Sequence, residues 1–450
     1  MLPAEASGRP THTESRSDLN YRLIAVLWVI AGTVLAAQTP PAVPVPALTQ
    51  PVPAATSQNA REILARVRPS VIQIKGFFGS NTAQAFHGTG FAVAADGVFM
   101  TNYHVVAQKI QYPEKYRLEY RTPDGATGAV QVLAVDVRHD LAVVQAEKFS
   151  PPPLTLQPTV PVKGDRAFSV GFPLDVGLTI TEGVSNGRVE DSFDPRIHYS
   201  GALNGGMSGG PALDASGAVI GVNVAGYRFE QLVSFLVPAE HGLTLLQKAR
   251  QTVKDLRADV QAQMRAHAAD LLKALDGDMP TQVAAGYALP AKLAPFVDCS
   301  ASADPSTEQP AQTLRIACSA KAGLYVEQGQ FTGDLRYSHY VLTSERLDAW
   351  RFAHRLTALT GAAGAFGSRK YVGPFVCESD TVTLTGFDAA ALVCVRSHRR
   401  LPGLYDFTVR VSSLNQSRRG FASHLDMYGV GFEAGSRFVR RYIESMRWQP

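Results

Sequence analysis

Residues 88–106, GTGFAVAADGVFMTNYHVV, decide the fold. Two apolar runs flank Asp96-Gly97, and an Asp-Gly pair between such runs is a strong signal for a β-hairpin turn. Similar runs fill residues 70–238, among them SVIQIKGF, GAVQVLAVDV, DRAFSVGF and GAVIGVNVAG. A second hairpin turn is expected at residues 214–217. Short apolar runs that are separated by turn residues predict an antiparallel all-β structure, either a barrel or a sandwich.

Three short segments carry residue types that are suited to nucleophilic catalysis. His104 lies in TNYHVV, Asp140 in HDLAVV and Ser208 in NGGMSGGP. The chain order His, Asp, Ser is that of the two-barrel serine proteases and differs from the order in α/β-hydrolases and subtilisins. The separations of 36 and 68 residues are long enough to place His104 and Asp140 on one barrel and Ser208 on the next.

The chemistry explains why these residue types belong together. A serine hydroxyl is a weak nucleophile at neutral pH, so it needs an imidazole within about 3 Å that can accept its proton. A buried carboxylate fixes the tautomer of that imidazole and stabilises its charged form. Attack on a carbonyl creates an oxyanion, and backbone N–H groups can stabilise it. The glycines around Ser208 permit the required backbone geometry, so the predicted donors are the N–H groups of Gly206 and Ser208.

A family resemblance extends these motifs. The strings quoted above, together with AVDVRHDLAVV, VGFPLDVGLTITEGVSNGRV and VSFLVPAE, make residues 61–240 resemble the protease domain of the HtrA/Deg family of trypsin-like serine peptidases. The resemblance implies two perpendicular six-stranded β-barrels with the active site in the cleft between them. It also implies peptide-bond hydrolysis through an acyl-enzyme, without a metal or a cofactor. Carried over to this chain, it makes His104 the general base, Asp140 its orienting group and Ser208 the nucleophile.

The chain departs from the family pattern at three places. Met207 stands before the serine where the family usually has Asn, and Gly205 replaces a common Pro. The Gly205-Gly206 pair leaves open whether the oxyanion hole is formed in the resting state. In addition, no PDZ-like stretch follows residue 238, so the oligomeric state is not assigned.

Substrate preference is predicted from the expected P1 pocket. Ala202, six residues before the nucleophile, is expected at the base of this pocket and cannot pair with Arg or Lys. Val222, Val224 and Ala225 are expected to form its apolar wall. The pocket therefore predicts a preference for small or medium aliphatic P1 side chains.

The sequence changes character after residue 238. Apolar residues at near-helical spacing predict a helical linker over residues 241–276, and residues 277–450 predict an α+β domain of no recognised family. All four cysteines lie in this last domain. An even count in an exported protein indicates disulfides, with three connectivities open. The local pairs Cys299–Cys318 and Cys377–Cys394 are favoured because each brackets a predicted hairpin.

The N-terminus indicates export. Residues 1–38 contain the apolar run LIAVLWVIAGTVL behind several arginines, which predicts either a signal peptide or an N-terminal membrane anchor. Residues 39–59 form a Pro/Ala-rich linker, and the protease domain is expected over residues 60–240. The 450 residues carry a net charge of only +4, which gives no argument for nucleic acid.

These observations predict an exported serine endopeptidase, periplasmic or secreted, that acts on protein or peptide substrates in envelope quality control or regulated proteolysis. Two alternatives stay open at this point. One is a latent or inactive protease fold that serves as a binding or scaffold protein, and the other is a chaperone-like holdase.

Overall fold

The computed structural model describes residues 56–226, 232–251, 253, 255–303, 308–327, 330–361 and 368–449. The predicted export segment, residues 1–38, and most of the predicted 39–59 linker lie outside these residues. Across the described ranges, no helix combines the length and the apolar character that a bilayer crossing requires.

The first half of the protease region closes into a six-stranded antiparallel barrel with strand order β1-β2-β3-β6-β5-β4. Its strands are β1 (Val71–Phe78), β2 (Gln84–Ala94), β3 (Val98–Thr101), β4 (Tyr116–Arg121), β5 (Thr127–Asp136) and β6 (Leu141–Ala146). Asp96 and Gly97 join β2 to β3 with φ angles of 64° and 73°, the two successive positive values that a tight hairpin turn requires.

The second half closes into another antiparallel barrel, with strand order β10-β11-β12-β9-β8-β7. Its strands are β7 (Arg166–Gly171), β8 (Thr179–Arg188), β9 (Ile197–Tyr199), β10 (Pro211–Leu213), β11 (Val219–Gly226) and β12 (Ser234–Pro238). In the turn between β10 and β11, the Asp214 carboxylate accepts hydrogen bonds from the N–H groups of Ser216 at 2.8 Å and Ala218 at 3.0 Å. The predicted double-barrel fold is therefore confirmed.

The two barrels share one hydrophobic core. It contains Phe91 and Leu141 from the first barrel and Phe168, Val222 and Val237 from the second. Side chains this well buried fix the barrels against each other, since each contributes about 1.5–3 kcal/mol by leaving water. The loops at the seam between the barrels are held in place as a result.

Six α-helices are described. They are α1 (Thr56–Val67), α2 (Tyr103–Gln111), α3 (Ala239–Ala249), α4 (Leu256–Ala274), α5 (Ala349–Thr360) and α6 (Phe432–Glu444). The predicted 241–276 linker thus contains most of α3 and all of α4. Asp255 caps α4 by accepting a hydrogen bond from the Ala258 N–H at 3.0 Å. Val260, Met264 and Ala268 of α4 pack into the core of the first barrel, so this helix is a packed element of the fold.

A sheet-rich region follows. Its strands are β13 (Thr281–Ala284), β14 (Tyr287–Pro290), β15 (Val297–Ala303), β16 (Gln312–Ala320), β17 (Leu324–Glu327), β18 (Gln330–Thr332), β19 (Asp334–Thr343), β20 (Val376–Leu384), β21 (Phe387–Ser397), β22 (Leu404–Ser413), β23 (Arg419–Gly431) and β24 (Arg447–Trp448). Seven of them form one antiparallel sheet in the order β15-β16-β19-β23-β22-β21-β20. β13, β14 and β24 form a small second sheet, and β17 pairs with β18 as a separate hairpin.

Two disulfides tie the edges of the large sheet. Cys299–Cys318 joins β15 to β16, and Cys377–Cys394 joins β20 to β21. These are the local pairs that the sequence favoured. β15 and β20 are the outer strands of the sheet, so each disulfide secures an edge strand that otherwise has only one neighbour.

Candidate active site

His104 is positioned by the turn that enters α2. The Asp140 carbonyl accepts hydrogen bonds from the Asn102 side-chain amide at 2.8 Å and from the Tyr103 N–H at 3.1 Å. Asn102 is fully buried, so these bonds are shielded from water and form a clamp between two loops. The loop before β6 is thereby fixed to the first turn of the helix.

The side chains of His104 and Asp140 form a two-point contact. One carboxylate oxygen of Asp140 accepts a hydrogen bond from the His104 N–H at 2.9 Å, and the other lies 2.7 Å from His104 Nδ1. Asp140 adopts φ 55°, a left-handed conformation that Asp tolerates better than most residues. The contact assigns the proton to Nδ1 and leaves Nε2 as the basic nitrogen.

The same contact raises the pKa of His104. Burial alone would lower this pKa, but the negative charge of Asp140 and its hydrogen bond outweigh burial, so the pKa lies above the ordinary value of 6.5. The imidazole therefore holds a proton more readily than a free histidine does.

Ser208 lies at the seam between the barrels, close to the turn that carries His104. Its carbonyl accepts a hydrogen bond from the Thr89 N–H at 2.8 Å. The next residue, Gly209, packs so tightly that an added Cβ would lie 2.2 Å from Thr101 Oγ1 and 2.9 Å from the Asn102 nitrogen. Only glycine fits there, and the φ of Gly209 is +83°. The backbone of Ser208 is thus held beside the start of α2.

The Ser208 hydroxyl is hydrogen-bonded to the second barrel. It donates a hydrogen bond to the Val224 carbonyl on β11 at 2.9 Å. Among the described residues, no hydrogen bond joins Ser208 to His104. The structure therefore brings His104 and Asp140 into contact. It places the backbone of Ser208 nearby, while the Ser208 hydroxyl bonds to Val224 instead of His104.

The loop before Ser208 carries the two predicted oxyanion donors. Met207 N–H donates to the Asn204 carbonyl at 3.0 Å, whereas the N–H groups of Gly206 and Ser208 have no hydrogen-bond partner within the described part of the chain. Gly206 has φ +98°, and a Cβ there would lie 2.3 Å from the Phe172 carbonyl oxygen. A side chain at this position is excluded both by its conformation and by space.

Two buried polar side chains, Thr89 and Asn223, hold this loop by hydrogen bonds. The sequence analysis does not identify this role for either residue. Thr89 Oγ1 donates to the Gly206 carbonyl at 2.7 Å and accepts from the Phe172 N–H at 3.1 Å. On the other side, Asn223 Nδ2 donates to the Met207 carbonyl at 3.3 Å, while its Oδ1 accepts from Ser169 Oγ at 2.6 Å. The sequence signal for Thr89 is its position after Gly88 in the quoted string GTGF; the pattern does not specify its contact with the loop.

Comparisons with known proteins agree with this architecture. Residues 88–222 match the family profile described as Trypsin-like peptidase domain. The chain contains a trypsin-like peptidase domain. The profile spans the positions of His104, Asp140 and Ser208.

Curated relatives carry names from the HtrA group. The chain is 31% identical to the mitochondrial serine protease HTRA2 of Bos taurus over 217 residues, 45% of this chain and 46% of that protein. It is 33% identical to a probable periplasmic serine endoprotease DegP-like of Chlamydia trachomatis over 147 residues, 31% of this chain and 28% of the relative. The chain thus spans about half or less of the length of these relatives.

Among solved structures, the active form of the Rv3671c protease from M. tuberculosis is similar at 22% identity and a TM-score of 0.39, over 45% of this chain and 90% of that one.

The trypsin-like peptidase domain places the predicted pocket residues in different environments. Ala202 is exposed, and its carbonyl accepts a hydrogen bond from Thr181 Oγ1 at 3.1 Å. Val222 is fully buried in the shared core, so its side chain does not line an open pocket. Val224 is also buried, and its carbonyl holds Ser208. The side chain of Ala225 lies outside the described residues.

Met207, the departure from the family pattern, is fully buried in the peptidase domain. Its Cα lies so close to Gly171 that a Cβ on that glycine would come within 2.8 Å. The Met207 side chain therefore fills buried space between this loop and Gly171.

Proposed function

We propose that this protein is a serine endopeptidase in which Ser208 is the nucleophile, His104 the general base and Asp140 the group that orients His104. The observation that carries the proposal is the two-point contact between Asp140 and His104. It leaves Nε2 of His104 unprotonated and able to accept a proton from a serine hydroxyl. The backbone of Ser208 lies beside the same turn, held there by Thr89.

Catalysis requires one side-chain rotation. The Ser208 hydroxyl leaves the Val224 carbonyl and turns about χ1 toward His104 Nε2, a change between staggered side-chain positions. Ser208 Oγ then attacks the substrate carbonyl carbon while its proton passes to His104. The resulting oxyanion is bound by the N–H groups of Gly206 and Ser208. Collapse of this intermediate breaks the peptide bond, and His104 returns the proton to the leaving amine. Water then releases the acyl group from Ser208 by the same route.

The proposed setting is outside the cytoplasm. The predicted export segment, the two disulfides and the name of the periplasmic DegP-like relative support it. We place the enzyme in the periplasm or among secreted proteins, with an N-terminal anchor as an option, and assign it to envelope protein quality control or regulated proteolysis. Ala202, with no acidic group at the predicted pocket base, supports small or medium aliphatic P1 side chains.

The test is hydrolysis of an unfolded protein such as casein by matched variants. Ser208→Ala should reduce turnover at least about 1,000-fold because the nucleophile is lost. Ser216→Ala, which removes an exposed serine from the same barrel, should leave turnover unchanged. Equal turnover by wild-type and Ser208→Ala protein would contradict the proposal.

The bond from Ser208 Oγ to the Val224 carbonyl favours one second candidate, a latent protease fold that binds its partners without cleaving them. In that case wild-type protein would bind unfolded substrate and release no fragments under any condition. A chaperone-like holdase would likewise keep its ability to suppress aggregation after Ser208→Ala. Both outcomes differ from those expected of a working endopeptidase.

A further inference from the structure

The sheet-rich region sends a hairpin, β17–β18, to the candidate active site. Leu324 and Val326 of β17 pack in the same core as Val106 and Ile110 of α2. Tyr103 Oη donates a hydrogen bond to the Val326 carbonyl at 3.2 Å. The residue immediately before His104 is thus bonded to a strand more than 200 positions further along the chain.

The outer face of this hairpin is aromatic and lies next to the catalytic imidazole. The ring of Tyr325 is 5.9 Å from the ring of His104 and nearly perpendicular to it, at 71°. Phe331 is the partner of Tyr325 on the opposite strand, with ring centroids 5.7 Å apart. Phe331 is 55% exposed, and a large exposed aromatic side chain beside an active site indicates a binding role.

The hairpin is anchored firmly enough to act as a fixed wall. Glu327 is almost fully buried and accepts a hydrogen bond from Tyr112 Oη at 3.0 Å. Lys370 and Arg400 each bring a cationic nitrogen to 3.9 Å from the Glu327 carboxylate. A buried carboxylate with these partners is costly to displace.

Beyond Phe331 the wall opens into a cavity of about 210 Å³ in the sheet-rich region. Its lining combines the aromatic and apolar side chains of Phe331, Tyr371, Val372 and Tyr428 with the ionisable side chains of Asp334, Arg336, Arg396, His398 and Asp406. Gln330 also lines it, and its buried Oε1 has no hydrogen-bond partner in the described part of the chain. The cavity is smaller than the pockets of drug-sized ligands, which measure roughly 300–1,000 Å³, and its volume suits a single large side chain.

We propose that this cavity is a substrate subsite that takes an aromatic side chain carrying a hydrogen-bond donor, Trp or Tyr, from the polypeptide being cleaved. The inference rests on the proposed function and adds a specificity element that lies outside the peptidase domain. Two edge-to-face ring contacts of 5.9 Å and 5.7 Å place the Phe331 ring, which lines the cavity, at most ~12 Å from the His104 ring. An extended chain advances about 3.3 Å per residue, so the side chain belongs three or four residues from the scissile bond. The orphaned Gln330 Oε1 accepts the indole N–H or phenol O–H.

The experiment uses the full chain and a set of internally quenched peptides. Each peptide carries Trp, Tyr, Phe or Ala at the third or fourth position from the scissile bond, on either side of it. For wild-type protein, kcat/KM should be about tenfold higher with Trp or Tyr than with Ala at one of these positions, and the ratio for Phe should be smaller. A tenfold ratio corresponds to about 1.4 kcal/mol. Phe331→Ala and Tyr325→Ala should reduce the ratio toward one.

The controls separate this inference from the proposed function. Phe432→Ala removes an equally exposed phenylalanine, 51% exposed, which does not line the cavity, and should keep the tenfold ratio. Fluorescence anisotropy with the Ser208→Ala protein measures binding of the same peptides without turnover, and Phe331→Tyr should retain the preference if Phe331→Ala fails to fold. Turnover without an aromatic preference at any tested position, or a preference that survives both Phe331→Ala and Tyr325→Ala, would overturn the subsite. A binding preference in the Ser208→Ala protein, together with no turnover of any peptide by the wild-type protein, would support the subsite and contradict the endopeptidase proposal.

Discussion

The hydroxyl of Thr89 offers a sharp test of how the loop that carries the proposed oxyanion donors, Gly206 and Ser208, is held. This hydroxyl is fully buried and makes two bonds to the loop region, one to the Gly206 carbonyl at 2.7 Å and one from the Phe172 N–H at 3.1 Å. Thr89→Val keeps the shape of the side chain and removes both bonds. Each partner left unsatisfied in the interior costs about 1–3 kcal/mol, which gives a total of ~2–6 kcal/mol unless the loop rearranges.

Rearrangement has a predictable effect on activity. If the loop moves to satisfy the Gly206 carbonyl, the Gly206 N–H loses its alignment, and the loss of one oxyanion donor costs about 100- to 1,000-fold in rate. We therefore expect Thr89→Val to lower kcat/KM on a quenched peptide by about 100-fold. Thr89→Ser keeps the hydroxyl and should remain within about threefold of wild type.

The assay pairs kinetics with stability. Urea denaturation of both variants shows whether the protein is folded, and Thr89→Val is expected to lose about 2 kcal/mol of unfolding free energy. A folded Thr89→Val protein with kcat/KM within threefold of wild type would refute the reasoning, because the loop would then be held by other contacts.

Three further predictions concern pH and cross-links. Since the pKa of His104 is raised and its neutral imidazole is the proposed base, kcat/KM should fall with decreasing pH along a limb whose apparent pKa lies above 6.5. A limb below 6.5 would contradict the contact with Asp140. Burial lowers the pKa of His339 to about 4, so its neutral form stabilises the fold above pH 6.5 and that stability is lost as pH falls toward 4. This loss reaches about 3 kcal/mol of unfolding free energy. His339→Gln can still donate to the Pro290 carbonyl but does not titrate, so it should flatten the dependence of the unfolding free energy on pH. An unchanged slope would contradict the prediction. Replacing Cys377 and Cys394 together by Ala should lower the free energy of unfolding by about 3 kcal/mol, as measured by urea denaturation. A change below about 1 kcal/mol would show that the edge strand is held without its disulfide.

The fold of the peptidase region could be predicted because its signals are local. Apolar runs with turn residues between them identify strands, and Asp96-Gly97 specifies its own turn through two positive φ angles. The candidate site residues could be proposed because His, Asp and Ser in this order serve one chemistry. Each of these inferences depends on residue type and spacing alone.

The remaining parts of the site depend on three-dimensional packing. Thr89 acts through a hydrogen bond across the barrel seam, and Asn223 acts through one within the second barrel. Both bonds depend on strand register, which the local sequence around each residue does not specify. Val222 and Val224 are expected in the pocket wall, but both lie in the shared core, because residues two apart on a strand face the same side.

The contacts of the region after the barrels are also not predictable from local sequence, because they join residues that lie far apart in the chain. The pattern in residues 241–276 predicts a helical linker. In the structure, α4 buries Val260, Met264 and Ala268 against the first barrel, and it buries Leu271 and Leu272 in the core of the sheet-rich region. No pattern in the sequence indicated that Tyr325 would lie 5.9 Å from His104. That contact depends on how two separately encoded regions dock, and docking follows from surface complementarity rather than from local propensity.

The central claim is that Ser208 is a nucleophile activated by His104. Treatment with a fluorophosphonate probe tests it directly, because only an activated serine Oγ attacks phosphorus and expels fluoride. Mass spectrometry of the digested protein should find the adduct on the peptide that contains Ser208 in wild-type protein and in Ser216→Ala. Labelling should be abolished in Ser208→Ala and strongly slowed in His104→Ala. An unlabelled wild-type protein under all conditions tested, or equal labelling of Ser208→Ala, would contradict the account.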